Sequence, residues 1–392
     1  MNFERGTVAV GIEEQKQRIE VIDVIRGVAL LGVLIINMRF FSTPYLAIAY
    51  KVELWPGFWD RLVAGLETSL VAGKFISIFS FLFGFGMVLM LESAKKREVW
   101  FAPLITRRLL ALALFGLLHG WLIWYGDILL HYAVLGFLLL LFINRKPRTM
   151  MIGAVLLLSL MPLLILLSGG SGSFQTPPYF NDYLEFNTKI YGEGSYSVIL
   201  QQRIMEWMGT AAEQIGFYPH LLGMFLLGAY FARKKWFHHA EDHVVLLKRL
   251  CAVMLLLFAG LSALAFLNVK PWSDLAMLLG WPIGAMFYMC VFVLAWRKTL
   301  GRRLLSPFLY VGRMAFTNYI LQSVIGTLIF YGYGFGYFGQ VGDAGRLLIS
   351  ICLFTAQILF NRFWLSRFRM GPLEWVWRAI TYRTVPPMKV RG

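Results

Sequence analysis

The chain has 392 residues, 58% hydrophobic and only 15% charged, which is too little charge to solvate the surface of a soluble protein of this length. Apolar stretches near twenty residues recur along it, so the fold class is all-α: a polytopic transmembrane helical bundle. A transmembrane β-barrel, with its alternating segments of about ten residues, is excluded. The net charge of +16 sits in alternate loops, so it reports topology and attraction to membrane lipids, not nucleic acid.

Residues 1–17 form a polar tail expected on the cytoplasmic side. The apolar run that follows is too long for a signal-peptide core and lacks a cleavage pattern, so it is expected to remain as the first span. About ten spans are predicted: 21–41, 69–92, 104–125, 127–143, 149–169, 209–232, 248–268, 272–296, 307–331 and 344–363. They make one transmembrane domain over 18–363, with outward loops at 42–68 and 170–208. The second loop opens with a Gly-Ser run and is expected to carry an interfacial helix near 195–207 or to serve as a lid over an outward-facing site. Twenty-seven Lys and Arg residues fall in the two tails and alternate loops, against six in the opposite loops. That bias puts both termini in the cytoplasm and favours an even span count. The tail from 364 to 392 reads as an interfacial helix, with Pro372 in its first turn and Trp375 and Trp377 suited to the headgroup layer.

Polar residues inside the spans are the functional signal. The first span carries Asp23, Arg26 and Asn37; Asp23 and Arg26 are three apart and suited to pair. Arg26 and Asn37 are eleven residues apart, which at about 100° per residue puts them on one face. In the second span Gly84 and Gly86 read as a tight helix contact or a break. In the third, His119 lies eleven residues beyond the Arg107-Arg108 pair, about 16 Å along the helix axis and so near mid-bilayer. Asp127 is eight residues further, about 12 Å, too far to orient His119 within a continuous helix. It is assigned to the outer turn, beside His131 or Lys74. His220 follows Pro219, which suits a kink or a core role. The ninth span repeats the first: Arg313 near the cytoplasmic end, then Thr317, Asn318 and Gln322, with Asn318 eleven residues past Pro307. Asn37, His119 and Asn318 therefore share a depth, where they either join helices or line one polar pocket. Cys251, Cys290 and Cys352 are isolated, and His238, His239 and His243 read as solvated, so no metal is expected. Phosphate loops of the Walker type, GxSxG and acidic ligand clusters are not found.

Six motifs carry a resemblance: IDVIRGVALLGVLIIN at 22–37, KFISIFSFLFGFG at 74–86, RRLLALALFGLLHG at 107–120, GDILLHYAVLG at 126–136, GRMAFTNYILQS at 312–323 and FRMGPLEWVWRAIT at 368–381. With them the chain resembles, nearly end to end, the YeiB-like family of bacterial inner-membrane proteins, domain of unknown function 418. The resemblance implies a multi-pass protein of the bacterial inner membrane. That family is usually grouped with transmembrane acyltransferases, through a first-span D-x-x-R-G motif followed by an Asn, here Asp23, Arg26, Gly27 and Asn37. Transport is the other role ascribed to it. The lysosomal member of the wider group looks to use a histidine after its first span; residues 38–68 have none, so His119 is the candidate instead.

Two functions are expected. In the first, the chain is a membrane acyltransferase with acyl-CoA as co-substrate, bound from the cytoplasm through Arg26, Arg107, Arg108, Arg313 and Arg369. His119 takes a proton from an acceptor reached from the outer face, and Asn37 or Asn318 donates to the oxyanion. In the second, the chain is a transporter of a small solute, although neither an internal repeat nor two matched broken helices can be read from the sequence.

Overall fold

The computed structural model describes residues 19–168, 176–267 and 269–390. The polar tail, the Gly-Ser run and the end of the seventh predicted span lie outside the described residues in whole or in part. All regular structure among the described residues is helical. α1 (Glu20–Ser42) is followed by short helices α2 (Tyr45–Ala49) and α3 (Phe58–Leu66), a π-helical turn at Glu67–Val71, and α4 (Lys74–Lys96). Next come α5 (Phe101–Leu122), α6 (Leu129–Ile143), α7 (Pro147–Leu167), α8 (Phe180–Glu193), α9 (Tyr196–Gly216) and α10 (Tyr218–Lys234). The chain closes with α11 (Val244–Phe266), α12 (Trp272–Trp296), α13 (Thr299–Arg313), α14 (Ala315–Phe330), α15 (Asp343–Arg367) and α16 (Pro372–Tyr382).

Seven helices are long and apolar enough to cross a membrane, or eight if the bent α9–α10 pair counts as one; α6 and α14 are apolar but shorter. The chain is therefore a multi-pass membrane protein. α7 and α11 expose apolar side chains, Leu156 at 66% and Leu256 at 74%, the polarity of a surface solvated by lipid instead of water.

Two predicted spans are interrupted. α9 and α10 meet at Phe217 with a bend of 54°. Pro219 stands in the first turn of α10, where its missing N–H breaks no bond that α10 needs but cannot continue the ladder of α9. The predicted interfacial helix at 195–207 consequently runs on to Gly216. The second break lies at Met314 (φ −121°, ψ 33°), between α13 and α14. The backbone N–H groups of Phe316 and Thr317 at the new helix start donate to Oε1 of Glu374 at 2.8 and 3.1 Å. The Thr317 hydroxyl donates to Oε2 at 2.5 Å. A carboxylate from α16 thus caps α14, satisfying donors that would otherwise be orphaned and matching the positive helix end.

Glycines set the closest helix approaches. A Cβ on Gly312 would lie 1.8 Å from the carbonyl oxygen of Asp23, and one on Gly84 would lie 1.9 Å from that of Phe225. α13 therefore rests on α1, and α4 on α10, backbone to backbone. The tight-contact reading holds for Gly84 but not for Gly86, whose Cβ would meet nothing within 4 Å. Gly312→Ala and Gly84→Ala should each destabilise the detergent-solubilised protein by about 1–3 kcal/mol or more, while Gly86→Ala should leave the melting temperature unchanged. Equal melting temperatures for all three would refute the backbone contacts.

Candidate active site

A cavity of about 1580 Å³ runs into the bundle between α1, α4, α5, α6, α14 and α16. Its geometry follows from helical periodicity. On α4 the residues Ile76, Phe79, Phe83, Gly86, Met90 and Ser93 line it at spacings of three and four. On α1 the lining residues are Arg26, Val33 and Asn37. Arg26 to Asn37 spans about 16 Å, so the cavity penetrates to the level predicted for the polar pocket. The two ends differ in character. Arg26, Arg107, Arg108 and Arg313 line the mouth, joined by Lys96, Arg97, Lys235 and Arg378, with Glu92 and Glu374 as the acids. The inner end is apolar and aromatic, walled by Val33, Phe79, Phe83, Leu129, Tyr132 and Tyr319, with Asn37 among them.

Four of the five arginines named from the sequence thus reach one cavity. Arg26 also donates to Asp23 at 2.6 Å, the pairing expected from their spacing. The fifth, Arg369, does not line the cavity; its backbone N–H donates to the Met388 carbonyl at 2.9 Å in the C-terminal tail. Asn37 is on the wall, but Asn318 is not. Asn318 is fully buried, its side-chain amide donates to the Val311 carbonyl at 3.2 Å, and its backbone carbonyl accepts from the Gln357 side chain at 3.2 Å. Gln357 in turn accepts from Gln322 at 2.8 Å. Asn318 and Gln322 therefore join α13, α14 and α15, the helix-joining alternative, because one residue along a helix turns a side chain by about 100°. The next residue, Tyr319, faces the cavity instead.

The largest correction concerns Asp127. α5 ends at Leu122, and residues 123–128 fold back along it, so the straight-helix distance does not apply. His119 is buried, and its Nδ1 lies 2.8 Å from Oδ1 of Asp127. The acceptor-only carboxylate assigns the proton to Nδ1. Asp127 Oδ2 accepts the backbone N–H of Leu130 at 2.8 Å, capping α6. Gly116 and Gly120 lie on the same helix face as His119 and admit this return: a Cβ on Gly116 would fall 2.3 Å from the Leu130 nitrogen. The partners expected for Asp127 are engaged elsewhere. His131 pairs with the Tyr218 hydroxyl at 2.8 Å, and Lys74 donates to the Thr68 carbonyl at 3.1 Å. His220 lies 2.7 Å from Ser77 Oγ, a buried core contact.

His119 does not itself line the cavity. Its ring centroid is 5.2 Å from that of Tyr319, which does, and Gly126, Ile128 and Leu129 around Asp127 also form the floor. The imidazole Nε2 is buried without a hydrogen-bond partner among the described residues. Sequence reasoning missed Tyr319 and the packing of the C-terminal helix against the cavity. Trp377, expected at the headgroup layer, stands on the cavity wall with Arg378. The sequence signal for this was the Glu374 position: an acidic residue in an amphipathic tail that caps a distant helix.

Comparison with known proteins places the chain. It is 39% identical over 389 residues to the protein described as "Uncharacterized protein YxaH" of Bacillus subtilis (strain 168), covering 95% of this chain and 96% of that protein. It is 29% identical to "Uncharacterized protein YeiB" of Escherichia coli (strain K12), covering 93% and 97%. The model for the family "Protein of unknown function (DUF418)" matches residues 231–384. The chain belongs to this YeiB-like DUF418 family. The matched segment contains Lys235, Arg313, Tyr319, Glu374 and Trp377 of the cavity, while Arg26, Asn37, Arg107, Arg108 and His119 lie outside it, within the full-length similarity.

His238 at the rim provides a titration test. It stacks on Phe85, with centroids 5.3 Å apart. Burial lowers its pKa to about 4, with His239, Lys235 and Lys96 adding in the same direction. The folded state therefore binds fewer protons at this site than the unfolded chain. The stability it contributes is present above about pH 6.5 and is lost as pH falls toward 4. His238→Phe should lose less stability than wild type between pH 6.5 and 4 in thermal unfolding; parallel curves would refute the assignment.

Proposed function

We propose that the chain is an acyltransferase of the bacterial inner membrane that moves an acyl group from cytoplasmic acyl-CoA to an acceptor reached from the outer face. The observation that carries this reading is the shape and charge of the cavity, basic at one end, apolar at the other, and floored by a residue in contact with the His119–Asp127 pair. Its volume exceeds the roughly 300–1,000 Å³ of ordinary small-molecule pockets, as suits a large, polyanionic, slender ligand. With α6, α14 and the bent pair each taken as a span, the count is ten; this even number and the positive-inside bias support a cytoplasmic side for both termini and the basic mouth.

In this mechanism the mouth arginines hold the phosphates and the thioester lies against Asn37 and Tyr319. Tyr319 swings aside to bring the substrate to His119. The acceptor hydroxyl or amine attacks the thioester carbonyl carbon while its proton passes to Nε2 of His119. Asp127 accepts from Nδ1–H, which orients the ring and stabilises the imidazolium. The Asn37 amide donates to the oxyanion. Collapse breaks the C–S bond; the thiolate leaves and is protonated from His119, so the base is restored.

The second reading, a transporter, has one specific support. Two helices are broken, at Phe217 and Met314, and interrupted helices are the hallmark of many transporter sites. Purified protein in proteoliposomes discriminates. Thioester consumption with acceptor acylation supports the enzyme; flux of solute without acyl-CoA supports the transporter.

His119→Ala should abolish transfer while acyl-CoA still raises the melting temperature as it does in wild type. Gly86→Trp, at a cavity-lining position where a Cβ meets nothing within 4 Å, should abolish that thermal shift. Undiminished transfer by His119→Ala would overturn the mechanism.

A further inference from the structure

We infer that the cavity mouth is a nucleotide-recognition site in which Arg108, backed by Trp377, forms a flat platform for a heterocyclic base. The guanidinium carbon of Arg108 lies 3.7 Å from the Trp377 ring centroid. The indole Nε1 donates to the backbone carbonyl of Arg108 itself at 2.9 Å, so the ring is tied to the residue it stacks on. Phe316 also packs against Trp377, edge-on, with its centroid 5.5 Å away at 63°. Trp377 is thus held between α5 and the first turn of α14, and it holds the guanidinium flat.

A lysine at 108 would serve a phosphate as a point charge. A planar guanidinium is different, because its delocalised face stacks on aromatic rings and on nucleobases. Stacking on Trp377 uses one face of the plane, and Arg108 also lines the cavity. A base entering from the cavity would continue the stack as a third layer. Arg107, Arg313, Arg378 and Lys235 line the same cavity and supply cations for two or more phosphates. A heterocycle joined to several phosphates is a nucleotide; a lipid headgroup offers phosphate without the aromatic plane.

This gives the C-terminal helix a role in binding. Its position is set by contacts at three places: Arg107 Nε donates to the Thr381 carbonyl at 2.9 Å, Trp377 bonds Arg108, and Glu374 caps α14. The inference rests on the donor reading for the identity of the nucleotide, which is then the adenosine 3′,5′-bisphosphate end of acyl-CoA.

The test is calorimetric titration of the full chain in detergent with adenosine 3′,5′-bisphosphate and with pyrophosphate. Wild type should bind the bisphosphate at least about tenfold more tightly. Arg108→Lys, which keeps the charge, should lose that advantage while its pyrophosphate affinity stays within about twofold of wild type. Trp377→Leu should do the same, and Arg108→Lys decides the matter if that variant does not fold. Equal binding of the two probes by wild type, or an equal loss of both in Arg108→Lys, overturns the platform. Acetyl-CoA as a third titrant separates the two readings. If it binds while the other probes bind equally, the platform fails and the donor reading stands. If the base preference appears and acetyl-CoA does not bind, the nucleotide site stands and the donor reading fails.

Discussion

The two hydrogen bonds made by Asp127 set the geometry on which the site depends. One carboxylate accepts from the imidazole of His119 and from the Leu130 N–H in the first turn of α6, so the turn between α5 and α6 closes back on α5 at that point. In a bilayer each of these groups would be expensive to bury alone. Joined, the carboxylate is satisfied on both oxygens, the helix start is capped, and the imidazole is held with its ring 5.2 Å from that of Tyr319. The same turn presents Gly126, Ile128 and Leu129 to the cavity floor. Moving Asp127 would therefore disturb the start of α6, the orientation of His119 and the inner end of the cavity together.

At the opposite end the controlling term is electrostatic. Eight Lys and Arg side chains share a wall with two acids, Glu92 and Glu374, and Glu374 is already engaged as the cap of α14. Like charges this close repel more strongly in a semi-enclosed, low-dielectric mouth than in water. An anionic ligand relieves that repulsion, and a slender apolar extension would fit the inner half. The break at Met314 belongs to the same construction. It ends α13 beside Arg313 and begins α14 where α16 can cap it, which brings the C-terminal helix onto the cavity wall.

Parts of this were legible from residue spacing. Asp23 and Arg26, three apart, do pair. Arg26 and Asn37, placed on one face by eleven residues at 100° each, do line one cavity, and Arg107, Arg108 and Arg313 converge on it from other helices. The first two follow from spacing because both residues of each pair lie within one unbroken helix, where rise and rotation per residue are constant; the convergence of the other arginines depends on how separate helices pack. Asn318 failed on direction: its side chain turned to the Val311 carbonyl of α13, and Tyr319 took the cavity position. Asp127 failed because a straight-line distance was applied across a helix end, and nothing local in the residues 123–128 reported that the turn folds back.

Hydrophobicity, the lengths of apolar runs and the placement of positive charge are one-dimensional properties, and the sequence by itself determined the membrane class, the helical segments and the family to which the chain belongs. It also determined which side chains were too polar for their surroundings. The pairing of His119 with Asp127, the use of Asn318 as a helix joint, the breaks at Phe217 and Met314, and the arrival of Trp377 beneath Arg108 were decided only by tertiary structure. The physical reason is that each depends on the relative rotation and approach of separate helices. That is governed by where glycines let backbones touch, at Gly27 and Gly312 and at Gly84 and Gly228, and by which distant donor or acceptor is close enough to satisfy a buried polar group.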